Sequence, residues 1–497
     1  MQTNSFKETE ATEGQLKACE FLRTFWLGIM VISVVVLIPC FWHRHIVSGD
    51  LASHTYNAWL VRLVKEGRAP GLWVKPIWNN VLFDWMLSGF TSLFGFGLGE
   101  KIAVSLAVLV LFWGVFAFVY AISRAVPWTL LPAMAMVAYG WTFQIGLFNY
   151  YLSIGLSFMA LSILCAARGW KRLYALAATP LIFLAHPLGV AWFLGASLYI
   201  LLLDTVPERF AVHLPAAAGL FLILVHKFMW LRLTVNNTGG SLGFYKISGL
   251  DQLILYGHRY KPLAVGLFLF VVACLFVDVM GRRRKQALSW RWSLPFQLYV
   301  VVELAVLLFP DYVRLPRYTS AITLLLQRLG LVAAILAIAW LGTLRKRVWH
   351  LAGFGLFASV FFFFLYQDTA RINSMENRAE QLVGELPFGT RVLATTYQPP
   401  GTAVNWFNVL DRVCIGRCFA FGNYEAASGQ FRLRALPGNG IVTTGVQDSV
   451  DIESGNYIVK PQDLPIYQVY QCSPRISDLC IRKLEAGEKN DRLGIHP

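Results

Sequence analysis

Charge is scarce in this chain of 497 residues: Asp, Glu, Lys and Arg make up 14% of it, against about a quarter in soluble globular proteins. Acid is scarcer still, with 28 acidic against 43 basic residues and a net charge of +15. Hydrophobic residues reach 56%, more than a soluble core of this size can hide. That excludes a cytosolic enzyme, a disordered chain and a small disulfide scaffold. Recognisable nucleotide and hydrolase motifs are also missing: no Walker A loop, no dinucleotide glycine fingerprint, no HExxH and no GxSxG. CxxC pairs are absent, so zinc is not expected to hold any part of the chain. The alternating strands of a membrane β-barrel are absent too.

What is present is a series of long apolar runs. About eleven segments approach the ~20 residues a spanning helix needs: 24–42, 101–122, 128–147, 150–167, 172–187, 188–204, 211–230, 262–280, 296–310, 318–341 and 349–367. The chain therefore reads as an all-α polytopic membrane protein. The basic runs Gly281-Arg-Arg-Arg-Lys285, Arg345-Lys-Arg347 and Arg168-Gly-Trp-Lys-Arg172 belong on the cytoplasmic side. The positive charge is thus assigned to membrane topology and not to nucleic acid. Counting back from these runs puts the N-terminal segment 1–23 inside, with 24–42 as a signal anchor. The segment 43–100 becomes a long outer loop. A further apolar stretch, 80–97, carries Asp84 and three glycines; it fits an interfacial or re-entrant helix on the outer face.

Beyond residue 370 the apolar runs stop. Short alternating stretches appear, at Arg391–Thr396, Gly440–Thr444 and Tyr457–Lys460, punctuated by Gly and Pro. They predict a small β-rich α/β domain over 370–497, extracytoplasmic by the topology. Four of the eight cysteines fall there: Cys414, Cys418, Cys472 and Cys480. An even number in an extracytoplasmic domain fits two disulfides. Local pairing and cross-pairing of the two segments are both open.

The first outer loop is the richest in chemistry. It contains Ser48-Gly-Asp50 and His54, followed by an amphipathic stretch that Gly67 and Pro70 terminate. Four residues apart, Asp50 and His54 share a helix face. They suit a carboxylate base with an imidazole beside it, or two ligands of a divalent metal ion. The plainer reading is an N-cap for Asp50 and an interfacial polar residue for His54. Elsewhere, Arg314, Arg317 and Tyr318 sit at the outer mouth of the 318–341 span, and His258 and Arg259 lie in the loop 231–261. Arginine offers planar paired donors to phosphate. His186 lies in a tight outer turn, where a histidine suggests a role.

The order of these features resembles the GT-C glycosyltransferase superfamily, which includes aminoarabinose and protein O-mannosyl transferases. Matching positions are Gly49-Asp50, Gly67-Arg-Ala-Pro70, Asn79-Asn80, Phe83 to Leu87 and Phe94-Gly95. The resemblance is fuller in the N-terminal half than in the second. It implies a GT-C-like fold and transfer of a sugar from a polyprenyl-phosphate donor to a glycan, lipid or protein acceptor. It implies a setting on the outer face of a bacterial inner membrane. Asp50 takes the place of the catalytic base, with His54 orienting it or sharing a metal. Arg317, with Arg314, Tyr318, His258 and Arg259, takes that of the lipid-phosphate site. The sequence departs from the superfamily in the next outer loop, where a second acid is often found: here the loop carries Asn149 and no carboxylate. Asp84 is the available substitute.

Two other readings compete. A transporter or flippase of lipid-linked sugars would place ionisable groups in mid-membrane, and the spans hold few carboxylates, Glu303 and Asp278 among them. A GT-C relative that has lost catalysis would account for the missing acid.

Overall fold

The computed structural model describes residues 26–237, 244–281, 293–316, 321–345, 347–396, 402, 404, 408–473, 475 and 477–491. The segment 1–23, the basic stretch 282–291, Lys346, Arg317 and Tyr318 lie outside the described residues.

The apolar runs fold into a helical bundle. Its members are α1 (Trp26–Phe41), the outer-layer helix α2 (Leu51–Lys65), α3 (Leu82–Ser123), α4 (Phe148–Ala166) and α5 (Pro187–Thr205). They continue with α6 (Leu214–Arg232), α7 (Tyr260–Met280), α8 (Leu294–Leu308), α9 (Leu325–Leu341) and α10 (Val348–Gly384). Among the described residues six helices are long and apolar enough to cross a membrane, and α1, α8 and α9 are shorter apolar helices.

Two expected spans are not continuous α-helices. The segment 128–147 breaks at Gly140, leaving Leu131–Ala138 and Trp141–Gln144 as short helices. A Cβ on Gly140 would lie 2.7 Å from the Gln252 carbonyl oxygen, so this break receives a neighbouring loop. The segment 172–187 is 3-10 helix over Gly169–Ala178 and α-helix only over Thr179–Ala185. The 318–341 span is shortened as well, because Ala321–Ile322 is a strand.

The stretch 80–97 forms the first part of α3, set apart from the rest by non-helical backbone at Gly95 (φ +77°). Glycine adopts that conformation without a Cβ penalty. The helix is therefore interrupted after Phe94.

The last bundle helix crosses the expected domain boundary. With 37 residues, α10 is roughly 55 Å long, far more than a hydrocarbon core of about 30 Å requires. Its end enters the C-terminal layer. There β5 (Thr390–Thr395), β6 (Cys418–Ala420), β8 (Ile466–Gln471) and β9 (Leu479–Leu484) form a mixed sheet in the order β6-β5-β8-β9. β5 is parallel to both β6 and β8, and β9 is antiparallel to β8. Cys414 pairs with Cys418 and Cys472 with Cys480. The expected strands at 440–444 and 457–460 are not strands. The first is a turn organised by Asn439, whose Oδ1 accepts from the Ile441 and Val442 amides. The second contributes only an isolated bridge, Ile458 to Lys489.

The C-terminal layer is fused to the first outer loop. β1 (Leu72–Val74) pairs antiparallel with β7 (Leu433–Ala435). One apolar core contains Tyr56, Trp59 and Leu60 of α2, Met375 and Leu382 of α10, and Val413, Ala426 and Val469 of the C-terminal layer. Between this layer and the bundle lies the cavity described next.

Candidate active site

Asp50 stands at the N-terminus of α2, but its side chain makes no capping hydrogen bond. Its backbone is bound to the broken segment beside α4: Gly49 N donates to Gln144 O at 2.7 Å and Asp50 N to Ile145 O at 3.0 Å. Gly146 follows with φ +93°, and a Cβ there would lie 2.5 Å from Asp50 N. Only glycine satisfies both the backbone angle and the contact. Asn408 Nδ2 donates to Asp50 Oδ1 at 3.1 Å. Burial pushes the Asp50 pKa above the ordinary carboxylate value, opposed by His54, Arg328 and the Asn408 hydrogen bond.

One turn along α2, His54 Nδ1 lies 2.8 Å from Asp84 Oδ1 and 3.6 Å from Glu425 Oε1. Burial disfavours its charge, yet Asp84, then Glu425 and Asp50, push its pKa up to about 9. It is an imidazolium at neutral pH. Asn149 holds the other side of Asp84, donating to Asp84 Oδ2 at 2.9 Å and to Asn80 O at 3.1 Å while accepting from Phe83 N at 2.8 Å. The position that lacks a carboxylate is thus a three-way tie between the loop helix and α4. Burial also pushes Glu425 to about 7, against the charge of His54.

Asp50, His54 and Asn149 open onto a cavity of about 290 Å³. Its bundle wall includes Tyr150, Leu324 and Arg328, and its outer wall Asn408, Tyr424, Phe431 and Glu453. Arg328 is 9% exposed and forms no salt bridge among the described residues. Its Nε donates to Thr323 O at 3.1 Å and its guanidinium lies 5.2 Å from the Tyr150 ring centre. His186 Nε2 is 3.4 Å from Arg328 Nη1. Because His186 Nδ1 accepts from Leu188 N at 3.1 Å, the neutral ring carries its proton on Nε2. Two donors therefore face each other with no acceptor between them. An anion oxygen is the natural complement.

Of the residues picked out from sequence, Asp50, His54 and Asn149 line this cavity, Asp84 stands behind them bound to His54 and Asn149, and His186 stands behind Arg328. Others lie elsewhere. Arg259 is bound to α10, with Nη2 2.6 Å from Asp368 Oδ1 and Nη1 donating to Gln367 at 2.8 Å. His258 is exposed, and Arg314 is exposed at the end of β3 (Tyr312–Arg314); neither lines the cavity. Among the described residues no group of three or more His, Cys, Asp or Glu is arranged to hold a metal ion. Asp84 engages His54 through Nδ1.

Sequence reasoning missed Arg328, Asn408, Tyr424, Glu425 and Glu453. Arg328 carried a signal, because an arginine inside an apolar span is a functional candidate by default. The other four carried none, lying in a tail read as a separate domain.

The architecture is a GT-C-like fold. In a search of solved structures the chain is similar to ArnT from Cupriavidus metallidurans in the apo state: TM-score 0.50, 14% sequence identity, covering 91% of this chain and 94% of that one. ArnT from the same organism bound to undecaprenyl phosphate gives TM-score 0.48 and 12% identity over 95% of this chain and 99% of that one. No protein-family model and no curated protein matches the sequence.

Proposed function

We propose that the protein is a membrane glycosyltransferase that moves a sugar from a polyprenyl-phosphate carrier to an acceptor hydroxyl in this cavity. One observation carries the reading: a carboxylate, Asp50, and a buried arginine with no carboxylate partner among the described residues, Arg328, line the same cavity. The GT-C-like fold supports it.

The acceptor oxygen forms a bond to the anomeric carbon as the bond from that carbon to the phosphate oxygen breaks. The acceptor proton goes to Asp50, and the electron pair of the broken bond leaves with the lipid phosphate. Desolvation makes Asp50 a stronger base than a water-exposed carboxylate. Arg328, with the Nε2–H of His186, neutralises the charge that grows on the departing oxygens. His54 is a positioning residue: held by Asp84 and Glu425, its positive charge opposes the burial that raises the Asp50 pKa. No step is assigned to a metal ion.

The test is sugar transfer in reconstituted vesicles. A panel of polyprenyl-phosphate sugars is supplied, and release of the free lipid phosphate is followed for wild type and Asp50→Asn. Release by wild type and its near-loss in the variant is the expected result. Equal release from both removes Asp50 as the base. Movement of lipid across the bilayer with no release points to a transporter instead.

A further inference from the structure

The two walls of the cavity differ in chemistry, and Tyr424, Phe431 and Glu453 of the outer wall have no part in the proton and phosphate steps. This wall is built by α12 (Tyr424–Ser428) and α13 (Val446–Ser454), which follow the short helix α11 (Val409–Val413) in the C-terminal layer. Tyr424 and Phe431 stand edge to face with ring centres 5.6 Å apart, and both line the cavity. Glu453 lines it beside them, and its carboxylate makes no hydrogen bond or ion pair among the described residues. Burial and the charge of Asp50 raise its pKa to about 7.

This wall is rigidly held. Asn423 caps α12 by accepting from Ala426 N at 3.2 Å. Its Nδ2 donates to Asp411 Oδ2 at 2.8 Å and to Ser53 Oγ of α2 at 3.2 Å. The pairing of β1 with β7 fixes the chain just beyond Phe431. Two aromatic faces and an unengaged carboxylate are the complement of a sugar ring, whose C–H face packs on aromatics while its hydroxyls donate to the acid.

We infer that Tyr424, Phe431 and Glu453 form the subsite that reads the sugar ring of the lipid-linked donor, and that they select a ring bearing no acidic group. The selection is electrostatic. Asp50, Asp84 and Glu425 surround His54 and Glu453 faces Asp50, while Arg432 adds positive charge near Asp84 and Glu425. With Arg328 committed to the phosphate, four carboxylates face two cations. A uronic acid placed there meets like charge without a counter-ion, which is an effective means of rejection. The C-terminal layer is then a specificity element of the active site, not a cap over it. This inference rests on the transferase reading.

The test is calorimetric binding to the full-length protein in lipid nanodiscs. The probes are a short-chain prenyl phosphate, the same lipid carrying a neutral hexose, and the same lipid carrying a hexuronic acid. In wild type the neutral hexose should bind more tightly than the bare lipid, and the hexuronate about tenfold or more weaker than the hexose. In Glu453→Gln the gap between hexose and hexuronate should narrow to about threefold or less. In Phe431→Ala the hexose should lose its advantage over the bare lipid. Equal binding of the bare lipid by all three proteins shows that the variants are folded. If the bare lipid binds but Glu453→Gln leaves the gap unchanged, the subsite assignment is overturned and the transferase reading survives. If the bare lipid does not bind wild type, the transferase reading fails and takes this inference with it.

Discussion

Arg412 and His54 are both mostly buried cations, with side chains 9% and 14% exposed, and their neighbours neutralise them in different ways. Arg412 Nε lies 2.6 Å from Glu376 of α10, and its Nη1 lies 2.6 Å from Glu100 of α3. Ile46 O accepts from both terminal nitrogens at 3.1 Å, and Thr55 donates to the second oxygen of Glu100 at 2.6 Å. This cluster joins four segments, its charges are hydrogen-bonded on every side, and it does not line the cavity. His54, by contrast, has Asp84, Glu425 and Asp50 acting on one imidazolium, with Asp50 and Glu453 open to the cavity. Burying charge costs several kcal/mol per ion, and only a fully hydrogen-bonded arrangement offsets it. The Arg412 cluster meets that condition and serves as a fastener. The His54 cluster keeps an acidic surplus, the pattern expected where groups are held for chemistry.

The contrast yields four predictions, from the largest effect to the smallest. Asp50→Asn should lower sugar transfer by roughly 10²–10⁴-fold while leaving thermal unfolding almost unchanged, because the open cluster loses only surplus charge. A large drop in melting temperature would make Asp50 a structural residue instead. Arg328→Met should lower transfer by roughly 10²–10³-fold and weaken binding of bare prenyl phosphate, with Arg328→Lys recovering part of both. Unchanged lipid binding in Arg328→Met would move the phosphate site elsewhere.

Arg412→Met should act on stability, by about 3–5 kcal/mol, since it strands two buried carboxylates. Adding Glu376→Leu and Glu100→Leu should restore much of that loss, as measured by denaturant unfolding in detergent. A triple variant no more stable than the single one would refute the fastener.

The smallest effect is on pH dependence. The His54 pKa rises from 6.5 to about 9 on folding. A histidine shifted in that direction adds stability that is fully present below 6.5 and is lost as pH rises through about 9. Melting temperature should therefore fall across that window in wild type, and fall less in His54→Gln. Identical profiles would show that the imidazolium is not held by its acidic neighbours.

Much of this site is local and therefore legible in the sequence. Asp50 and His54 are four residues apart on one helix. Asp84 starts the helix that follows within the same loop. The sequence shows Asn149 where an acid is expected, and the structure makes it a hydrogen-bonding hub. The sequence points to Arg317 for the phosphate, a residue outside the described ones, while Arg328 lies further along the same apolar segment, opposite His186. The sequence marks 370–497 as a separate small β-rich domain and does not show which of its residues meet the first loop. Asn408 reaches Asp50 across 358 positions of sequence.

Composition and apolar length alone determined the membrane class and the Asp50–His54 pair, because these depend on hydrophobicity and on residues within one or two helical turns. The breaks at Gly140 and over Gly169–Ala178 were beyond the sequence, since a run of apolar residues does not record which neighbour will enter it. The tertiary structure alone decided how the acids divide between fastener and site. Burial and the geometry of partners set the energy of each charge, and both arise only when distant segments meet.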